Sequence, residues 1–212
     1  YYRGWVGHTT GASLRRVLQH RNLVYLVVGL FGSNVTWVSL MTFWPTLMLE
    51  KYDMALTTSG ILSGTSYLAA GIGGVIVAAG MMKKDVRKPL LVVSAVVQTF
   101  AALGMLQTGS VPLLVLFNVS YGLGWAFYPI AMTLPFELPG IKPQDIAVAV
   151  VLIDLDIWAG GSVGPIVAGL LQDWTGDLNL ALVVTSFFSL SLVAGGILIS
   201  RQGSDQGEVS PA

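Results

Sequence analysis

Six long apolar runs divide this chain, at roughly residues 22–49, 57–82, 89–107, 112–138, 146–171 and 179–200. Each is close to or above the roughly 20 mainly apolar residues a helix needs to cross the hydrocarbon layer of a bilayer. Only a helix or a closed barrel satisfies its own backbone there, and barrel strands would be about half as long, with alternating polarity. The expected fold class is therefore an all-α integral membrane protein with six transmembrane helices in a lipid bilayer. Composition agrees: 54% of the residues are hydrophobic and 10% charged, where a soluble domain carries charge on about a quarter. Zero formal net charge points to no nucleic-acid partner, and the absence of cysteine excludes thiol chemistry. The chain opens on Tyr1 without a signal-peptide core, so a piece of a longer protein is expected.

The intervening loops are short and carry turn formers or charge: KYDMALT, KKDVRK, TGSV, PGIKPQD and the stretch around DWTGD. Six spans put both termini and the second and fourth loops on one side. That side holds Arg3, Arg15, Arg16, Arg21, Lys83, Lys84, Arg87, Lys88, Lys142 and Arg201, and the other holds only Lys51. The positive-inside rule makes the basic side cytoplasmic, which gives a multi-pass cell-membrane protein with both termini inside. Residues 1–21 read as a basic cytoplasmic linker, 22–200 as the transmembrane domain and 201–212 as a polar, disordered tail. His8 and His20 have no Cys or carboxylate companion at ligand spacing, so neither a metal site nor a cofactor is expected.

A shift of 90 residues brings the two halves of the transmembrane domain into register. Gly32 then meets Gly122, Pro45 meets Pro135, AAGIGGVIVA from Ala69 meets AGGSVGPIVA from Ala159, Leu90 meets Leu180 and Val93 meets Val183. Two three-helix repeats, about 22–108 and 112–200, are implied. An odd number of spans per unit inverts the second relative to the first.

Four segments carry a family resemblance: SLRRVLQHRNLVYL at the first span, TFWPTLMLE at its far end, GMMKKDVRKPLL in the basic loop, and GGSVGPIVAGLLQDWTG from Gly160 to Gly176. With these the chain resembles the C-terminal six-helix half of the major facilitator superfamily. The basic loop departs from the family pattern at Lys83 and Val86. The resemblance implies half of a twelve-helix transporter, with an N-terminal six-helix half as its partner.

The third and sixth spans are apolar nearly all round and read as peripheral. By contrast, the first and fourth carry amides, hydroxyls and aromatics, which in hydrocarbon need a partner or water. The substrate-cavity candidates are Asn34, Trp37, Asn118, Tyr121, Trp125 and Tyr128; the competing reading is hydrogen bonding and aromatic packing between helices. The family resemblance places a substrate cavity on these two spans. The second and fifth are rich in small residues, and Gly60 with Gly64 and Gly160 with Gly164 read as close helix packing in place of ligand binding. In the family this pair meets the other half, so a large apolar face should be left uncovered. Pro165 should kink the fifth span.

Asp154 and Asp156 stand within the fifth apolar run, and no Lys, Arg or His lies in any of the six. An Asp at mid-membrane costs about 2.5–3.5 kcal/mol on insertion scales, so something must compensate. Residues two apart diverge by about 200° around a helix, which puts Asp154 with Trp158 and Asp156 with Gly160 and Gly164. Coupling to a proton or to a cationic substrate group is expected at one of them. Two divergent carboxylates on one helix do not make an aspartyl-protease dyad, and no enzyme is read. The expected function is secondary active transport of a small solute by alternating access with proton coupling. The alternative is a six-helix channel or an oligomeric structural subunit.

Overall fold

A computed structural model describes residues 6–80, 84–137 and 141–199. Arg3, Lys83, Arg201 and the 201–212 tail lie outside them, as do the side chains of His8, of the loop through Lys88 and of Glu137. The described residues form helices α1 (Val6–Gln19), α2 (Arg21–Tyr52), α3 (Leu56–Gly80), α4 (Lys84–Gln107), α5 (Val111–Leu123), α6 (Tyr128–Thr133), α7 (Pro143–Thr175), α8 (Leu178–Ser186) and α9 (Ser191–Ile199). All of the regular structure among them is helical. Six spans are long and apolar enough to cross a membrane: α2, α3, α4 from Pro89, the α5–α6 segment Val111–Phe136, α7, and the α8–α9 segment Leu178–Leu198.

Local chemistry ends α2 and α7 where loops were expected. Asp53, at φ 52°, turns the chain out of α2 while its N–H bonds back to the Leu49 carbonyl and that of Met54 to the Met48 carbonyl. Gly176, at φ 71°, does the same after α7, where a residue without Cβ adopts the left-handed conformation without strain. The Asp177 carboxylate then accepts the Leu180 N–H at 3.0 Å and caps α8.

The central helix, α2, packs on one side against α7 and on the other against α8, α9 and the turn between them. In parallel, α3 lies along α5, and α4 packs on α5 and α9. The α2–α7 seam depends on Gly160 and Gly164. A Cβ there would stand 2.7 Å from the Phe31 carbonyl oxygen and 2.5 Å from that of Val35. Gly60 and Gly64 differ from expectation: a Cβ at either meets nothing within 4 Å. Their stripe lies on the uncovered side of α3, whose close approach instead uses Gly73 against Leu123 and Ala126.

The third and sixth spans are not merely peripheral, because each hides a polar inner face behind an apolar outer one. Ser94, Gln98 and Thr99 on α4 and Thr185, Ser186 and Ser189 on the sixth span are all buried, and the Thr99 and Ser189 hydroxyls bond to each other at 2.7 Å. The large uncovered apolar faces belong to α3, through Ile61, Leu68, Ile72 and Val75, and to α7, through Leu155, Trp158, Ile166 and Trp174.

Two large apolar clusters fill the bundle, with a small one of Val77, Ala126 and Ile130 beside them. One, around Trp44, Met48, Met105 and Leu182, sits toward Lys51; the other, around Leu26, Leu30, Phe127 and Ile153, sits toward α1. Both ends are tied. Toward Lys51, Trp44 Nε1 donates to the Met105 carbonyl at 3.1 Å and Lys51 Nζ to that of Leu106 at 2.8 Å. These carbonyls belong to the last turn of α4, which has no intrahelical donors left for them. Lys51 also reaches Asn179 Oδ1 at 3.2 Å. At the other end, Arg16 of α1 grips both carboxylate oxygens of Asp145, in the first turn of α7, at 2.8 and 3.0 Å, and bonds Ser13 Oγ at 2.9 Å. The bond to Asp145 raises the Arg16 guanidinium further above its ordinary value.

Two spans are interrupted. α7 runs unbroken through Pro165, but the fourth span breaks at residues 124–127, upstream of Pro129. Proline has no N–H to give to the carbonyl four residues back, and its ring crowds that carbonyl. The Trp125 carbonyl is taken instead by Tyr128 N–H at 3.1 Å, and that of Gly124 by Gln98 Nε2 at 2.9 Å. Residues 187–190 similarly interrupt the sixth span with a turn of 3₁₀ helix.

Candidate functional site

Aromatic rings link the two large clusters: Trp37 and Tyr121 pack with the first and Trp125 with the second. Trp37 of α2 is their hub. Its ring stacks on Tyr121 at 5.2 Å between centroids and 11° between planes, and meets Tyr67 at 5.1 Å and 87° and Trp125 at 5.3 Å and 69°. Offset stacking and edge-to-face contact both suit the ring quadrupole. A cleft of about 550 Å³ opens beside this cluster, walled by the aromatic side chains Trp37, Tyr67, Trp125 and Tyr128. Ala70, Gly71, Gly74 and Ala78 of α3 make the space by filling none of it, and Ile157 closes the α7 side. The break in the fourth span positions Trp125, inside it, and Tyr128, at the start of the short α6.

Three of the six expected cavity residues, Trp37, Trp125 and Tyr128, therefore wall the cleft. Tyr121 stands behind Trp37, fully buried, with no hydrogen-bond partner for its hydroxyl; Trp125 Nε1 is likewise enclosed without an acceptor. The two asparagines are elsewhere. Asn34 donates to the Leu30 carbonyl at 3.0 Å and Asn118 to that of Leu114 at 2.8 Å, each on its own helix. Asn118 also accepts from Ser66 Oγ at 2.9 Å through its side-chain oxygen and is fully buried in the α3–α5 contact. The Asn118 amide thus ties α3 to α5, while the Asn34 amide bonds within α2. Neither asparagine lines the cleft.

Tyr67 was not singled out in the sequence, because α3 reads there as a stripe of small residues. A signal existed: Gly60, Gly64, Tyr67, Gly71, Gly74 and Ala78 recur at helical spacing, and one large ring above small neighbours marks a hollow. Gly71 and Gly74 of this stripe line the cleft, a second departure from expectation.

The acids diverge as their spacing requires. Asp154 is exposed on the uncovered face of α7, one turn from Ile157. Asp156 is half-buried on the stripe that carries Gly160 against α2, and its Oδ2 is enclosed with no hydrogen-bond donor. α7 begins at Pro143, so Asp154 is about 17 Å along it at 1.5 Å per residue.

No protein-family model matches the chain, and no solved structure matches it significantly. Over 195 residues, 87% of its length, the chain is 24% identical to the uncharacterized transporter YybO of Bacillus subtilis (strain 168). The match covers 44% of that relative, so the chain spans less than half the length of a protein named as a transporter.

Proposed function

We propose that this chain is one half of a secondary transporter, resembling the C-terminal half of the major facilitator superfamily, that moves a small solute by alternating access. The observation that carries the reading is the cleft, which lies at mid-bundle against a span broken where its residues are needed. Discontinuous helices at the midplane are how many transporters build a substrate site. Helix pairing supports an inverted repeat. Exchanging spans one, two and three with four, five and six turns the α2–α7 pair into the α5–α3 pair, and the pair of first and sixth spans into that of fourth and third. The bond between Thr99 and Ser189 joins residues 90 apart, the same offset that aligns the halves. In this reading the missing half covers the apolar faces of α3 and α7 and completes the cleft. Asp154 and Asp156 are the coupling groups, and the end bearing α1 is cytoplasmic.

The test uses the complete protein with single cysteines at Gly60 or Ala78, which lie on one face of α3 toward opposite ends of the cleft. In oriented proteoliposomes an impermeant maleimide should label the two reciprocally as a pH gradient is imposed. Joint Asp154→Asn and Asp156→Asn substitution should abolish the shift. Simultaneous reactivity of both cysteines indicates a channel and overturns alternating access; an undiminished shift in the double variant removes the coupling role.

A further inference from the structure

We propose that the cleft takes an organic cation with an apolar body, an aryl or quaternary ammonium, in place of an anionic solute. The inference rests on reading the cleft as the transport site, and it names the class of solute. Four aromatic side chains, Trp37, Tyr67, Trp125 and Tyr128, share its wall. Tyr67 and Trp125 stand steeply to Trp37, at 87° and 69°, so the rings make a corner and not a flat stack. Ring faces carry negative potential, and a cation within about 6 Å of a centroid is attracted to them. A corner of rings offers that potential from two directions, together with apolar area for the rest of the solute.

The charges point the same way. No Lys, Arg or His occurs at residues 22–50, 56–82, 89–141 or 143–200, so within the hydrocarbon layer this half contributes Asp154 and Asp156 and no balancing cation. Asp154 lies one turn from Ile157, a cleft residue. A carboxylate acts over such distances far more strongly in a low-dielectric layer than in water. For an anion the same walls offer no positive group, and the indole N–H of Trp125 is enclosed. Size is permissive: the floor of small residues on α3 leaves room for a ring plus a substituted nitrogen, and a bulkier side chain at Gly71 or Gly74 would fill it.

Benzyltrimethylammonium and phenylmethanesulfonate share a ring and differ in the sign of their charge, so calorimetric titration of both into the purified complete protein separates charge from shape. The cation should bind at least about tenfold more tightly than the sulfonate. Asp154→Asn and Tyr67→Leu should each weaken the cation by roughly three- to tenfold and leave the sulfonate unchanged. Both side chains are exposed, so neither change opens a hole in the core. Equal or tighter binding of the sulfonate overturns the proposal, as does failure of the cation to bind, or cation binding untouched by both substitutions. The Gly60 and Ala78 cysteine labels are followed on the same preparations. Labels that alternate without cation binding remove the solute class and leave transport standing; cation binding with labels that never alternate removes transport and leaves the site.

Discussion

Replacing Gly164 by alanine tests the α2–α7 seam. The added carbon would stand 2.5 Å from the Val35 carbonyl oxygen, 2.8 Å from Ser39 Oγ and 3.1 Å from Val35 Cα, where ordinary contact begins at 3.4 Å. Ser39 can rotate away, but the backbone of Val35 cannot, so the shortfall of 0.9 Å must be met by moving the helices apart. Overpacking of this kind costs about 1–3 kcal/mol; the better helix propensity of alanine returns at most about 1 kcal/mol. A net loss of about 1–2 kcal/mol is expected. Gly160→Ala strains the same seam at 2.7 Å from the Phe31 carbonyl oxygen. Once the helices have separated for one methyl group, the second costs less, so the double variant should lose less than the sum of the singles. Gly11→Ala is the control: on the exposed face of α1 a Cβ meets nothing within 4 Å, and stability should hold or rise slightly. The assay is reversible unfolding of the complete protein in mixed micelles titrated with sodium dodecyl sulfate. Gly164→Ala as stable as Gly11→Ala, or fully additive losses in the double variant, would refute the account of this contact.

Trp44→Phe keeps the ring in its cluster but removes the donor to the Met105 carbonyl, and should cost about 1 kcal/mol in the same titration. Lys51→Met uncaps the Leu106 carbonyl and should cost about 0.3–1 kcal/mol, with the loss confined to low ionic strength if charge on the helix end is the main contribution. Gln98→Leu leaves the Gly124 carbonyl buried without its partner, at about 1–3 kcal/mol, and should raise amide exchange at residues 124–128 before any other part of the span. Arg16→Gln should release α1, seen as faster amide exchange across Gly11–Gln19 with the spans unaffected, and the charge swap of Arg16→Asp with Asp145→Arg should restore protection.

The spans were legible because the bilayer imposes a length and a polarity that single residues cannot escape. All six apolar runs became helices, with ends displaced by a few residues: α2 reaches Tyr52 and α7 starts at Pro143. Divergence of Asp154 and Asp156 followed from helical geometry alone. Interior detail was harder, because in hydrocarbon a polar side chain can satisfy itself on its own helix. Asn34 and Asn118 do this through the carbonyl four residues back, and nothing in their spacing sets them apart from Trp37 or Tyr128. Prolines are equally hard to read from sequence. Pro45, Pro129 and Pro165 look alike there, yet of these three only Pro129 follows a break in its span, where the Gln98 side chain takes up the Gly124 carbonyl. Gly60 and Gly64 share the spacing of Gly160 and Gly164, but among the described residues a Cβ at either meets nothing within 4 Å.

The interruption at residues 124–127 changes what the fourth span can do mechanically. An intact helix resists bending along its whole length, whereas one with a missing rung concentrates compliance at a single level. Here that level falls between Val111–Leu123, seated against α3, and the short piece Tyr128–Thr133 beneath it. Rotation about this joint would swing Tyr128 relative to Trp37, and would have to break or carry along the bond from the Gln98 amide to the Gly124 carbonyl.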